Sequence, residues 1–229
     1  MLTAECSGAL ERSLREHTVL TGRVIDVVFG AETVGDGVTV PLGSDYFVIT
    51  WHETVEIRVP LDRFSNIDLE QKNRRQNAST GKSTPLSTTM KRYLLNRKGS
   101  EFDFIVTKIP YDDDGLINGP ILADRLIAMD KVRREFWFAR DEEENYFAAP
   151  DRVFDARIVD VAHDSIRVEL KGIERILYRD SLTLQEHEEV FERYKVGNTI
   201  PVRIVKVTLR DEEQNLVKAR LRQAKEYGA

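Results

Sequence analysis

Nine residues invite a chemical reading first: Gln76 to Thr84, QNASTGKST. Gly-Lys-Ser closes the G-x-x-x-x-G-K-[ST] loop, whose backbone N–H groups cradle phosphates. That loop needs a glycine at its first position to start the turn, and Gln76 stands there instead. It also needs a strand in front and a helix behind, whereas LEQKNRRQ precedes it and Pro85 follows closely. The stretch therefore reads against a nucleotide-hydrolysing site. Asp112 to Gly115, DDDG, fails as a calcium loop. With Gly115 as the central glycine, the first and last ligand positions fall on Pro110 and Ile121, which offer no carboxylate. His17, His52, His163 and His187 are scattered without zinc spacing. No Gly-x-Ser-x-Gly elbow occurs, and the single Cys6 rules out an internal disulfide framework. No catalytic constellation, metal site or cofactor is expected.

Charge is more informative. The 229-residue chain carries a net charge of −5. Between Leu69 and Lys98, however, eight cations (Lys72, Arg74, Arg75, Lys82, Lys91, Arg92, Arg97 and Lys98) face the one acid Glu70. That segment carries +7, so the rest carries −12. Blocks of one sign contact polyanions or remain solvated loops. The N-terminus, MLTAECSGALERSLREH, is charged throughout and lacks the apolar core of a signal peptide, which places the expected location in the cytoplasm. No run approaches the ~18 apolar residues of a membrane span, so no membrane partner is expected.

These residues must be positioned by a scaffold, and the scaffold repeats. Gly22 to Val27, GRVIDV, returns as ARIVDV at Ala156 to Val161. GSEFDFIVTKI from Gly99 returns as GNTIPVRIVKV from Gly197, and ADRL at Ala123 faces KARL at Lys218. RVPL at Arg58 faces RILY at Arg175 in the same order. The first copy is longer by 17 residues before its third strand and by 19 more before its fourth. The second surplus covers the basic segment, which reads as an insertion at about 66–98.

The blocks alternate apolar residues and are rich in Val, Ile and Phe, as strands are. In the second copy strands are expected near 153–162, 166–170, 173–178, 199–209 and 215–222. A helix over LQEHEEVFERYKVG is expected to end at Gly197. In the first copy they are expected near 18–28, 37–42 with 46–51, 54–60, 101–111 and 120–125, with a hairpin at DDDG. A helix from Leu126 to Phe147 would join the halves, with Phe136, Trp137 and Phe138 packed between them. Five strands with a helix after the third is the arrangement of the oligonucleotide-binding (OB) barrel. The fold class is mainly β with connecting helices: two tandem five-stranded barrels. The expected domains are 18–129, a linking helix 130–150, and 151–226.

The second copy resembles the S1 RNA-binding domain, the module repeated in ribosomal protein S1. The matching stretches are ARIVDVAHDSIRVELKGIERILYRDSL, FERYKVGNTIPVRIVKV and NLVKARLRQA. The first copy is a weaker, expanded match. The family's second turn glycine is replaced by Arg175, and its stacking aromatics are missing from SIRVEL at Ser165 to Leu170. The resemblance implies binding of single-stranded RNA, or single-stranded DNA, with the ribosome as a further expected partner. It places Arg167, Arg175, Tyr178 and Arg179 on the binding face. Alternation turns Ile166, Val168 and Leu170 inward and Ser165, Arg167 and Glu169 outward. In the first copy Trp51 and His52, beside Arg58 and Arg63, are the stacking candidates. Arg74, Arg75, Lys82, Lys91 and Arg92 would hold phosphates. The acidic balance outside the insertion and the missing aromatics also fit a protein-interaction module on the same scaffold. The oligomeric state is left open.

Overall fold

The computed structural model describes residues 4–29, 46–51, 55–64, 92 and 94–224. The chain divides into two units, one of residues 1–98 with 102–128 and one of residues 99–101 with 129–229. The expected strand at 37–42 and most of the basic segment lie outside the described residues.

The first unit opens with a helix that the sequence reading missed, α1 (Ala4–Glu16). Leu10 and Ser13 are its fully buried residues. A closed barrel follows, built from β1 (Leu20–Val28), β2 (Tyr46–Trp51), β3 (Val55–Pro60), β4 (Glu101–Lys108) and β5 (Ile121–Asp124). Its order is β1-β2-β3-β5-β4. The β4–β5 register slips between Val106 and Lys108. There the Val106 N–H donates to Ser13 Oγ at 2.9 Å, so α1 supplies a hydrogen-bond acceptor beside the irregularity. Gly22 is required in β1, since a Cβ there would lie 2.5 Å from Ile49 Cγ2 and 2.7 Å from the Thr50 carbonyl. The core stacks Phe47 on Phe64 (ring centroids 3.6 Å apart), with Phe102 edge-on to Phe64. The buried Arg125 guanidinium lies 4.2 Å from the Phe102 centroid and donates to the Phe64 carbonyl. Leu94 and Arg97 are buried as well, so the C-terminal end of the basic segment is part of this unit's packing. The DDDG hairpin is present: Asp112 Oδ1 accepts from the N–H groups of Asp114 and Leu116.

The second unit contains β6 (Val153–Val161), β7 (Ser165–Leu170), β8 (Ile173–Tyr178), β9 (Thr199–Asp211) and β10 (Leu216–Gln223). Their order is β10-β9-β6-β7-β8. This is the cyclic order of the first barrel with the seam between third and fifth strands left unladdered. Both units are OB barrels, as the repeat implied. The turn between β7 and β8 is Lys171-Gly172, with φ of 45° and 76°, the two left-handed positions of a type I′ hairpin. Helix α2 (Arg125–Trp137) packs on that turn. Arg133 donates twice to the Gly172 carbonyl, and Trp137 Nε1 donates to that of Lys171.

Three expectations change. The helix expected up to Phe147 stops at Trp137, and a tight turn replaces its end: Asp141 Oδ1 captures the N–H groups of Glu143 and Asn145. Trp137 and Phe138 are buried in the second barrel's own core, with Phe136 against it, rather than between the halves. The helix before Gly197 shrinks to α3 (Val190–Arg193). Upstream of it, Arg179 takes the carbonyls of Glu186 and Glu188 as acceptors, which holds that segment as a loop.

Candidate nucleic-acid interface

The β7–β8 register decides which side chains share a face. Ser165 pairs with Tyr178, Arg167 with Ile176 and Glu169 with Glu174; between them Val168 pairs with Arg175. Cross-strand partners point the same way. Tyr178, Ile176 and Arg167 are therefore outward together, and Arg175 is inward with Val168. Tyr178 is 56% exposed and Ile176 41%. Arg167 Nη1 stands 3.9 Å from Glu174 Oε2. On the β6 side Asp160 is opposite Arg167 and Arg157 opposite Glu169. Ser165 and Glu169 share that outer face by register, as alternation implied, yet both are buried on it. Ser165 Oγ donates to Asp164 at 3.0 Å, and Glu169 sits between Arg157 and Glu174 in the register.

Arg175 is not a binding-face residue. Its guanidinium donates to the carbonyls of Ala219 and Val217 on β10, at 3.0 and 3.1 Å, and to Glu174 O at 2.7 Å. It bridges the unladdered seam of the barrel. Burial, and then the neighbouring Arg133 charge, lower its pKa from the usual arginine value. Arg179 is likewise committed, to the two carbonyls upstream of α3.

In the first unit Trp51 is 5% exposed. Its ring is enclosed by the barrel, so it offers no stacking face. Arg58 is paired with Glu56 at 2.7 Å. Arg63 lies 3.5 Å from Asp124 and 3.8 Å from Asp62, and Arg92 is exposed. His52, Arg74, Arg75, Lys82 and Lys91 lie outside the described residues. Of the predicted residues in the second barrel, only Tyr178 and Arg167 come together on one outer face. The reading missed Ile176 beside them. It also missed a run of alternating cations in KARLR, whose period of two was legible but was used only to place a strand.

The exposed Tyr178 and Ile176 both stand on β8, the third strand of this OB barrel, with Arg167 beside them on β7. Residues 148–216 match the model of the S1 RNA binding domain. The second barrel is thus an S1-type domain by sequence and by fold. No curated protein matches the chain. Among solved structures it is similar to a multidomain protein with nucleic acid binding domains from Streptococcus pneumoniae TIGR4, at 11% identity and a TM-score of 0.34. The match covers 89% of this chain, and the chain spans 50% of that protein's length.

Proposed function

We propose that the chain is a non-enzymatic single-stranded RNA-binding protein of the S1-domain type, acting in the cytoplasm, with the second barrel as its binding module. The observation that carries this reading is Tyr178, a ring 56% exposed on the outer β7–β8 face of the barrel that matches the S1 model. Stacking of one base on an aromatic ring contributes about 1–3 kcal/mol. The test is a fluorescence anisotropy titration of the full chain with labelled oligouridylate at two salt concentrations. Binding at low salt that weakens steeply with salt is expected. Tyr178→Ala should weaken it by about fivefold to a hundredfold, and absence of any low-salt binding by the wild type would sink the reading.

One observation favours a second reading, a protein-interaction module. The same face sets Asp160, Glu169 and Glu174 around Arg167 and Arg157, which is poor lining for a phosphate. A partner protein bound with Ile176 and Tyr178 at its centre would be insensitive to competing RNA.

A further inference from the structure

The outer side of β9 and β10 carries five cations. Lys218, Arg220 and Arg222 alternate along β10 with the buried Val217, Ala219 and Leu221. The register puts Arg222 opposite Arg203 and Arg220 opposite Lys206 on β9. Like charges therefore face each other twice, an arrangement that destabilises an antiparallel pair. Among the described residues the recorded compensation is Asp151, 3.8 Å from Arg203. Lys206, Lys218, Arg220 and Arg222 are exposed and have no ion pair among the described residues. Four of these five cations are thus left without a carboxylate partner among the described residues, which leaves room for an external anion.

The seam fixes what lies beside this row. Successive antiparallel pairings from β10 through β9, β6 and β7 to β8 leave β8 and β10 running in the same direction. Arg175 on β8 reaches the carbonyls of Val217 and Ala219. Three residues further along each strand stand Tyr178 and Arg222, at the same end of the seam. The cations along β10 repeat every second residue, about 6.8 Å apart, a spacing of the same order as successive phosphodiesters in an extended strand.

We infer that the outer β9–β10 face is a phosphodiester track for single-stranded RNA, entered from the base-stacking position at Tyr178; this rests on the RNA-binding reading above. The occupant is a nucleic acid rather than an acidic protein because the cations are evenly spaced along a row that ends at an exposed ring. The experiment uses the full chain and labelled oligouridylate over a salt series. The double substitution Arg220→Gln, Arg222→Gln should weaken binding about tenfold at low salt. It should also make the slope of log affinity against log salt shallower by about 1.4, since each single-strand phosphate contact contributes about 0.7. Lys206→Gln alone should change the slope by about 0.7. Neither substitution should lower the melting temperature, because each removes repulsion. Unchanged affinity and slope in both variants, with wild-type binding intact, overturns the track and leaves the RNA reading standing. Competition by polyglutamate as strong as by unlabelled RNA also overturns it. No wild-type binding at low salt removes the RNA reading and the track with it.

Discussion

Arg175 occupies a position where the S1 pattern carries a glycine, and its role follows from counting strand alternation from the correct end. Ile173, Arg175 and Leu177 share a stripe, and the flanking two are core residues. The sequence already contained that stripe; resemblance to the family drew attention to the binding face instead. Replacing Arg175 with methionine keeps the stem but removes three donors to backbone carbonyls. Hydrogen bonds from a charged donor contribute about 1.5–3 kcal/mol each; water can reach the freed carbonyls of this half-buried site and the methionine stem keeps its packing, so a net loss of about 2–3 kcal/mol is expected by urea unfolding. Gly172 is a second single-residue constraint. At φ of 76° its added Cβ would lie 2.3 Å from the Met129 carbonyl. Gly172→Ala should cost about 2 kcal/mol or more in the same measurement. Trp51 shows the opposite case: an aromatic at a strand end is compatible with core or surface from sequence alone, and only barrel closure decides.

At the scale of elements, the described strands were legible, whereas the helices were legible only in part: the start of α2 and the presence of α3 were, but their lengths and α1 were not. Period-two patterning marks a strand even when it is short, because one side must be apolar. α3 and the end of α2 fail for local reasons, since polar side chains take the backbone partners that a longer helix would use. The loop before α3 is instead fixed by Tyr194, whose hydroxyl donates to Gln223 Oε1 at 2.5 Å, an oxygen that also accepts from the Thr183 N–H. Burial, the largest influence, raises the Tyr194 pKa from its usual value, while the neighbouring Arg193 charge acts against it. A raised pKa means that this contribution is complete below the unfolded value of about 10 and is lost as pH rises through the folded value. Stability of the wild type should therefore decline above about pH 10, and Tyr194→Phe should lack that component when melts are compared across the alkaline range.

At the scale of the whole molecule, the chain is net acidic, so the RNA binding proposed above requires local rows of cations. If the β9–β10 row supplies about four phosphate contacts, the wild-type salt slope should be close to −3. A distinctly steeper slope would bring in the basic segment of the first unit. Shortening that segment tests this, provided the deletion is confined to residues 71–90, because Leu94 and Arg97 are buried. The repeat in the sequence carried most of this architecture, since two copies of one strand order imply two copies of one barrel. It could not carry the difference in how they close. The first barrel pairs β3 with β5 through Ile57–Ile121 and Arg58–Leu122, whereas the second relies on a side chain.

That difference has a consequence for how the protein keeps to itself. β8 and β10 are the two ends of the second sheet, and an end strand is a template for pairing with another chain. One guanidinium stands between these ends and occupies carbonyls on β10 that a foreign strand would otherwise use. Arg175 thus covers these two carbonyls at the open edge of the second sheet. Arg175→Gly should shift the protein toward oligomers or aggregates at concentrations where the wild type does not assemble, which light scattering of the two at matched concentration will reveal.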